Sequence, residues 1–184
     1  MPGTITPDQM YDHECNVLKG WWHPQALDKS APLADGEVVL SGSVVYLDMN
    51  GEFRLGLPEN SMPMFAWPNS ADFDVSADVG NIQSQNLMAL PCTGPYELQT
   101  TEFDERYAYH PNDHLAVWDT QKVGYAADYQ GKVFVGNAYT DTICGVVSAS
   151  VAVNDFGKNF LSLWTYYLPI DLADVDSSIV VDAQ

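Results

Sequence analysis

The chain has 184 residues and carries 25 acidic against 7 basic side chains, giving a formal net charge of −18 and an isoelectric point of about 4.1. A charge of this sign repels the phosphate backbone, so composition excludes nucleic acid as a partner. Hydrophobic residues make up 46% of the chain, which supports a packed core and excludes a disordered chain. The length is typical of one domain, and all-β domains of this size are common.

The cysteines Cys15, Cys92 and Cys144 are odd in number and widely spaced, which argues against a disulfide framework. We expect three free thiols in a chain made in a reducing cytoplasm, with Cys144 as a small buried side chain. The N-terminus lacks the basic and apolar regions of a signal peptide. No apolar run approaches the ~20 residues that span a bilayer. We therefore expect a soluble protein with no membrane partner.

Residues 1–35 differ from the rest of the sequence because prolines interrupt them and no strand pattern is clear. They predict an extended N-terminal arm, with Trp21, Trp22 and His23 as contact residues. Tryptophan is frequent among the residues that dominate binding energy at protein interfaces. The alternative is that both indoles pack on the edge of the domain's own core.

From residue 36 the sequence changes to short apolar runs separated by turn residues. Val44–Leu47 and residues 52–57 flank Asn50-Gly51, and Asn-Gly is the strongest short hairpin signal. The pattern therefore predicts a β-hairpin. An earlier run, residues 38–40, is separated from it by Ser41-Gly42-Ser43, which suggests a bulge or a bend.

The stretch at residues 62–67 is apolar and has proline at its second position and just after its end. Proline cannot donate to a strand ladder, so the pattern favours an edge strand or an extended loop over an interior strand. Methionine and aromatic side chains are common on contact surfaces. We therefore predict a contact with another protein, a partner or a second subunit, formed by Met62, Met64, Phe65 and Trp67.

The longest β-rich stretch is residues 131–170. Its runs at 142–153 and 160–168 are joined by Asn154-Asp155-Phe156-Gly157, which predicts a second antiparallel hairpin, and Pro169 ends its last strand. Together with shorter runs, the chain has about ten strands and no βαβ spacing. The sequence predicts an all-β fold, an antiparallel β-barrel or sandwich over residues 36–170, followed by an acidic tail at 171–184.

Histidine and cysteine give weak metal signals only. His13, Cys15 and His23 match no zinc spacing, and Pro111 between His110 and His114 rules out a helical ligand pair. We expect no metal and no cofactor.

Two acidic pairs, Asp72 with Asp74 and Glu102 with Asp104, supply the carboxylates that a glycosidase would need. Such pairs arise by chance among 25 acidic residues. A Gly-rich phosphate loop and a Gly-x-Ser-x-Gly elbow are absent from the sequence. The sequence therefore favours a protein that is not an enzyme.

Three stretches resemble the head decoration (capsid cement) proteins of tailed bacteriophages. They are GSVVYLDMNGEFRLG, then ELQTTEFD with YHPNDHLAVW, and finally TICGVVSASVAVNDFGKNFLSLWTYYLP. The resemblance lies in the turn after a V.LD.NG strand and in a closing GVVS…G…L.W…LP hairpin, and it covers residues 36–170.

The resemblance implies a non-enzymatic β-barrel that binds the outside of an assembled capsid and bridges its subunits, with the N-terminal arm reaching over neighbouring subunits. The implied partners are the major capsid protein and further copies of this chain, as a dimer or trimer. The implied location is the outer capsid surface of the virion, after synthesis in the host cytoplasm.

Two other functions stay open. Five tryptophans and ten tyrosines supply stacking platforms for a carbohydrate- or receptor-binding β-sandwich of a virion. A glycoside hydrolase is the third and least favoured function.

Overall fold

A computed structural model describes residues 15–19, 29–37, 39–58, 61–67, 86–92, 97–119, 126–138, 140–153 and 157–168. Eleven strands run through them, and one short 3₁₀ helix lies at Ala127–Tyr129. The all-β prediction is confirmed.

The strands form two antiparallel sheets that pack together as a β-sandwich. The six-stranded sheet consists of β1 (Cys15–Lys19), β7 (Glu97–Thr100), β11 (Asn159–Leu168), β10 (Ile143–Val153), β8 (His114–Val117) and β9 (Val133–Val135), in that spatial order. The five-stranded sheet consists of β2 (Lys29–Pro32), β6 (Asn86–Pro91), β5 (Met64–Trp67), β3 (Val44–Leu47) and β4 (Phe53–Leu55).

Both predicted hairpins are confirmed, as β3–β4 and β10–β11. In the first, Gly51 takes a positive φ of 78°, and its N–H donates to the Asp48 carbonyl. The run at residues 38–40 behaves differently, because Val39 and Leu40 belong to no strand and lead into a bend at Gly42, with φ 88°.

Residues 1–35 show no clear strand pattern in the sequence, yet two strands of the sheets lie within them. β1 pairs with β7, where Cys15 lies opposite Thr100, and β2 pairs with β6, where Lys29 lies opposite Ala89. Each strand is only four or five residues long, so neither gives a clear alternating pattern. The partner strands, which lie far away in the sequence, hold them in place. Residues 1–14 and 20–28, and the predicted tail at 171–184, lie outside the described residues.

The two sheets share one topology, which divides the chain into a first unit (β2–β6) and a second unit (β7–β11). The strand order β2-β6-β5-β3-β4 recurs as β7-β11-β10-β8-β9, with β1 added at the edge of the second unit. In each unit the chain just beyond the first strand bridges the start of the third strand, as Leu33 does with Phe53 and Phe103 with Val133. Each unit therefore curls so that the chain after its first strand reaches its third strand.

Backbone hydrogen bonds repeat between the units as well. The N–H of Ala34 donates to the Phe53 carbonyl at 3.0 Å, and that of Asp104 to the Val133 carbonyl at 2.8 Å. Gly56 N–H donates to Val44, and Gly136 N–H to His114, both at 2.9 Å. The sequence keeps a trace of this repeat, because NGEFRLG at residues 50–56 aligns with QGKVFVG at residues 130–136. We infer that the fold is an internal repeat.

Strands of the first unit are buried on both faces. One hydrophobic cluster lies inside the curled first unit and includes Val45, Met64 and Ala66. The alternate residues Val44 and Phe65 point the other way, into a larger cluster shared with the second unit. Period-two alternation therefore places Val44, Val45, Met64, Phe65 and Ala66 in one core or the other, which explains the continuous apolar runs of β3 and β5.

Candidate functional site

The predicted contact stretch at residues 62–67 is mostly core. Met64 is 5% exposed and Phe65 is fully buried, and β5 lies between β6 and β3 rather than at an edge. The prediction of a surface strand is wrong for Met64 and Phe65. Pro63 lies just before the strand, so it interrupts no ladder bond of β5. Met62 remains exposed at 44%, and the side chain of Trp67 lies outside the described residues.

Trp21, Trp22 and His23 also lie outside the described residues. Their assignment as contact residues stays a prediction, as does their alternative placement on the edge of the domain's own core.

The acidic pair Glu102 and Asp104 is buried rather than set in an open cleft, with exposures of 1% and 0%. Asp104 Oδ2 accepts hydrogen bonds from Arg106 Nη2 at 2.6 Å and from Trp118 Nε1 at 2.9 Å, and Arg106 Nε donates to Asp104 Oδ1 at 2.8 Å. Burial raises the pKa of Asp104, but these donors outweigh it and hold the pKa below its usual value. Asp104 is therefore an ionised carboxylate that its hydrogen-bond donors hold in place.

The surroundings of Asp104 hold neighbouring segments together. Tyr109 Oη donates to the Asp104 carbonyl at 2.8 Å, and the Arg106 guanidinium lies 4.0 Å from the centre of the Tyr129 ring. Trp118 stacks on Phe134 with ring centres 4.3 Å apart. The cluster ties the chain after β7 to β8 and β9. The geometry of the cluster suits a role in holding these segments together. Because Asp104 is fully buried, its carboxylate cannot reach a sugar.

All three cysteines are free thiols, as predicted, and all three are buried, whereas the sequence predicted burial only for Cys144. Burial raises the pKa of the Cys15 and Cys144 thiols to about 12, and it raises the pKa of Cys92 as well. Deprotonated thiolate is the form that attacks electrophiles and binds metals, so these thiols are chemically quiet.

The histidines that the structure describes lie in a loop and at the start of β8. His110 Nδ1 is 3.5 Å from Asp113 Oδ2 in the exposed loop before β8. Among the described residues, no group of three or more His, Cys, Asp or Glu side chains is placed to hold a metal ion.

The largest departure from the internal repeat is the β10–β11 hairpin. β10 and β11 have eleven and ten residues, whereas their counterparts β5 and β6 have four and six. β8 pairs with β10 only at Gly145 and Val146, and β7 stops pairing with β11 at Leu161. Val147 also exchanges backbone hydrogen bonds with Asn112 and Asp113. Beyond Val147, within the described part of the chain, β10 pairs with β11 alone. The hairpin therefore projects past the strands beside it.

The projecting part of β10 is uncharged and exposed along its whole length, from Ala149 to Val153. Val151 is 37% and Val153 is 63% exposed. Next to the hairpin's turn, Asn159 Nδ2 donates to Glu105 Oε1 at 2.8 Å, so the first residue of β11 contacts the chain that follows β7. The sequence predicts this hairpin but not its projection. The sequences of β10 and β11 do not show how far β8 and β7 extend beside them.

A second exposed apolar surface lies on the outer face of β11. Trp164 is 37% and Tyr166 is 44% exposed, whereas Leu161 and Leu163 on the other face are fully buried. The alternation of this strand was visible in the sequence. The sequence alone does not tell which face is covered.

Within the described residues there is no helix with the length and apolar character that crossing a membrane requires. Comparison with known proteins gives no relative: no protein-family model, curated protein or solved structure matches this chain.

Proposed function

We propose that this chain is a non-enzymatic structural protein of a phage virion, which binds the outer surface of the assembled capsid and stabilises it by bridging major capsid protein subunits. The projecting β10–β11 hairpin is the observation that carries the proposal. The resemblance of three sequence stretches to head decoration proteins supports it independently.

The hairpin has the properties of a docking element. Five exposed residues of β10, Ala149 to Val153, reach about 17 Å at the usual rise of a strand. An isolated two-stranded ribbon is marginal in water and gains stability when a partner covers it. Beyond Val147, the outer edge of β10 has no strand partner among the described residues, so it offers backbone groups to which another chain can add a strand.

The rest of the molecule suits the outside of a capsid. A protein that binds only the assembled state stabilises that state by mass action, and many identical copies multiply a modest contact. The net charge of −18 gives the coated particle an anion-repelling surface.

Binding to heads tests the proposal. Purified protein should sediment with expanded, mature heads of the phage that encodes it, and should not bind isolated capsid subunits. Val151→Asp should weaken head binding at least about tenfold, because docking would bury an unpaired charge. Val151→Thr is the matched control and should bind as the native chain does. Absence of head binding at physiological salt contradicts the proposal.

A carbohydrate- or receptor-binding function is the second candidate, and the exposed Trp164 and Tyr166 favour it. Aromatic rings on an open sheet face are stacking surfaces for sugars. Saturable binding on a glycan array that Trp164→Ser abolishes would support this candidate over capsid binding.

A further inference from the structure

The internal repeat shows what covers the outer face of a unit. In the first unit, Val44, Phe65 and Leu90 lie side by side across three strands. We call them the first outer row. All three are fully buried, and they belong to the same hydrophobic cluster as Leu98 and Leu163 of the second unit. The second unit therefore packs on the outer face of the first.

The second unit carries the equivalent row, His114, Val146 and Trp164, which are side by side in the same way. We call them the second outer row. Trp164 is 37% exposed, and His114 and Val146 are half-buried. Leu90, at the position equivalent to Trp164, has no exposed surface. Among the described residues, nothing covers the second outer row as the second unit covers the first.

The second unit covers the first outer row, and the turn that precedes β9 is part of the covering surface. Val44 N–H donates to the Gly131 carbonyl at 2.8 Å, and Gln130 Nε2 donates to the Leu55 carbonyl at 2.9 Å. Gly131 has a φ of 75°.

The equivalent turn of the first unit holds Asn50 and Gly51, and Gly51 has nearly the same φ, 78°. Its Met49 side chain is completely exposed. The second unit thus has an outer row that no described residue covers as the first row is covered, and the first unit has a turn of the covering kind whose Met49 side chain is exposed.

We propose that a second copy of this chain docks head to tail, with its Met49–Gly51 turn on the second outer row of the first copy. The contact continues the packing that joins the two units within one chain. Different patches meet, so the interface is heterologous and builds a ring or an open chain according to the rotation per copy. Trp164 is its anchor, because a large aromatic side chain at the centre of a contact contributes strongly to binding. The pairing does not depend on capsid binding.

Two single variants test the direction of the contact. Trp164→Glu places a charge in the second outer row and leaves the Met49–Gly51 turn intact. Met49→Glu places a charge on the turn and leaves the second outer row intact. Each should raise the dissociation constant of the oligomer at least about thirtyfold, since a charge is placed at an interface anchor. Light scattering of the native chain should show multiples of 20.3 kDa, and each variant alone should be a monomer.

Mixing the two variants in equal amounts should give a heterodimer and nothing larger. The intact turn of the Trp164→Glu protein would meet the intact row of the Met49→Glu protein, and both free ends are then blocked. Val153→Glu, an apolar-to-acidic change at another exposed residue that lies on the hairpin outside the proposed contact, is the control and should leave the oligomer unchanged.

Three outcomes overturn the proposal: a monomeric native chain, an oligomer that survives either variant, or a mixture that stays monomeric. If Trp164→Glu does not fold, as judged by circular dichroism, Trp164→Ser replaces it with the same expectations. Self-association is measured without heads, so its failure is separate from failure of capsid binding.

Discussion

Asp104 shows how one side chain can join several segments. Its carboxylate is 0% exposed, whereas the Arg106 side chain that pairs with it is 51% exposed. The carboxylate also accepts from Trp118 on the far side. A buried charge is tolerated only where donors replace the lost water, and Asp104 has donors on both oxygens.

Asp104→Asn should lower the free energy of unfolding by about 2–3 kcal/mol, measured by urea denaturation. The amide removes the charge, and its NH₂ group faces a donor instead of accepting from it. Glu105→Gln, the same chemical change at the neighbouring residue, should cost less than about 0.5 kcal/mol. Equal effects of the two substitutions would contradict the bracing role of Asp104.

The same variant should show a pH dependence. Because the pKa of Asp104 is lower in the folded chain, its contribution is full above the unfolded value of about 4 and is lost as pH falls through the folded value. The difference in unfolding free energy between native and Asp104→Asn proteins should therefore be constant near neutrality and shrink below about pH 4. A difference that grows on acidification would refute this sign.

At the residue scale, sequence reasoning succeeded where a local rule decides the structure. Asn50-Gly51 predicted its hairpin because positive φ at glycine is a property of that residue. The role of Asp104 was not predictable, because Trp118 reaches it from a different strand. A carboxylate's partners are set by the tertiary fold.

At the element scale, Gly131 lies in the turn before β9, at a point where no side chain fits. Its φ is 75°, and a Cβ there would lie 2.9 Å from Leu55 Cγ and 3.1 Å from the Val44 carbonyl oxygen. The turn of the second unit therefore approaches the first unit at backbone distance. Close packing between the units depends on this glycine.

Gly131→Ala should lower the free energy of unfolding by about 2–4 kcal/mol, from left-handed strain plus steric overlap. Gly36→Ala is the matched control: its φ is 79°, but no atom lies within 4 Å of the added Cβ. It should cost only about 1 kcal/mol, from strain alone. Chemical denaturation of both proteins measures the difference, and equal costs would mean that the overlap at Gly131 relaxes freely.

β5 shows why an element can be located correctly and its environment misjudged. Its apolar run and flanking prolines were read as a surface strand. The run is continuous because Met64 and Ala66 face the inside of the first unit while Phe65 faces the second unit. β5 is buried on both faces because the second unit of the internal repeat packs on the first. The sequence similarity between the two units covers only seven residues in each, so it does not reveal this packing.

At the scale of the whole molecule, β1 and β2 make two parts of the N-terminal segment strands of the sandwich. Deleting residues 1–30 removes β1 and the first half of β2, which uncovers the edges of β7 and β6. The truncated chain should melt at least about 10 °C lower than the native chain, because several kcal/mol of packing is lost. Thermal denaturation followed by circular dichroism measures this. An unchanged melting temperature would contradict this prediction and would mean that residues 1–30 form an arm that does not stabilise the sandwich.

Fold class was predictable from the sequence, whereas the pairing of β1 and β2 was not. Alternation and turn residues are local and numerous, so an all-β fold follows from them. Short strands such as Lys29–Pro32 carry too few residues for a pattern. Long-range pairing alone defines them, and the Trp164 surface is likewise visible only after both units are placed.

The long-range pairing of β1 sets an order of events during synthesis. Cys15 leaves the ribosome long before Thr100, its partner in the sheet, so β1 must wait without a partner while the first unit closes. Meanwhile Val44, Phe65 and Leu90 face water until the second unit arrives to cover them. Contacts between distant residues slow folding, and exposed apolar surface promotes association of nascent chains. If translation stops between the two units, the half-molecule exposes the apolar outer face of the first unit to solvent. The yield of native protein therefore depends on how fast the second half is translated.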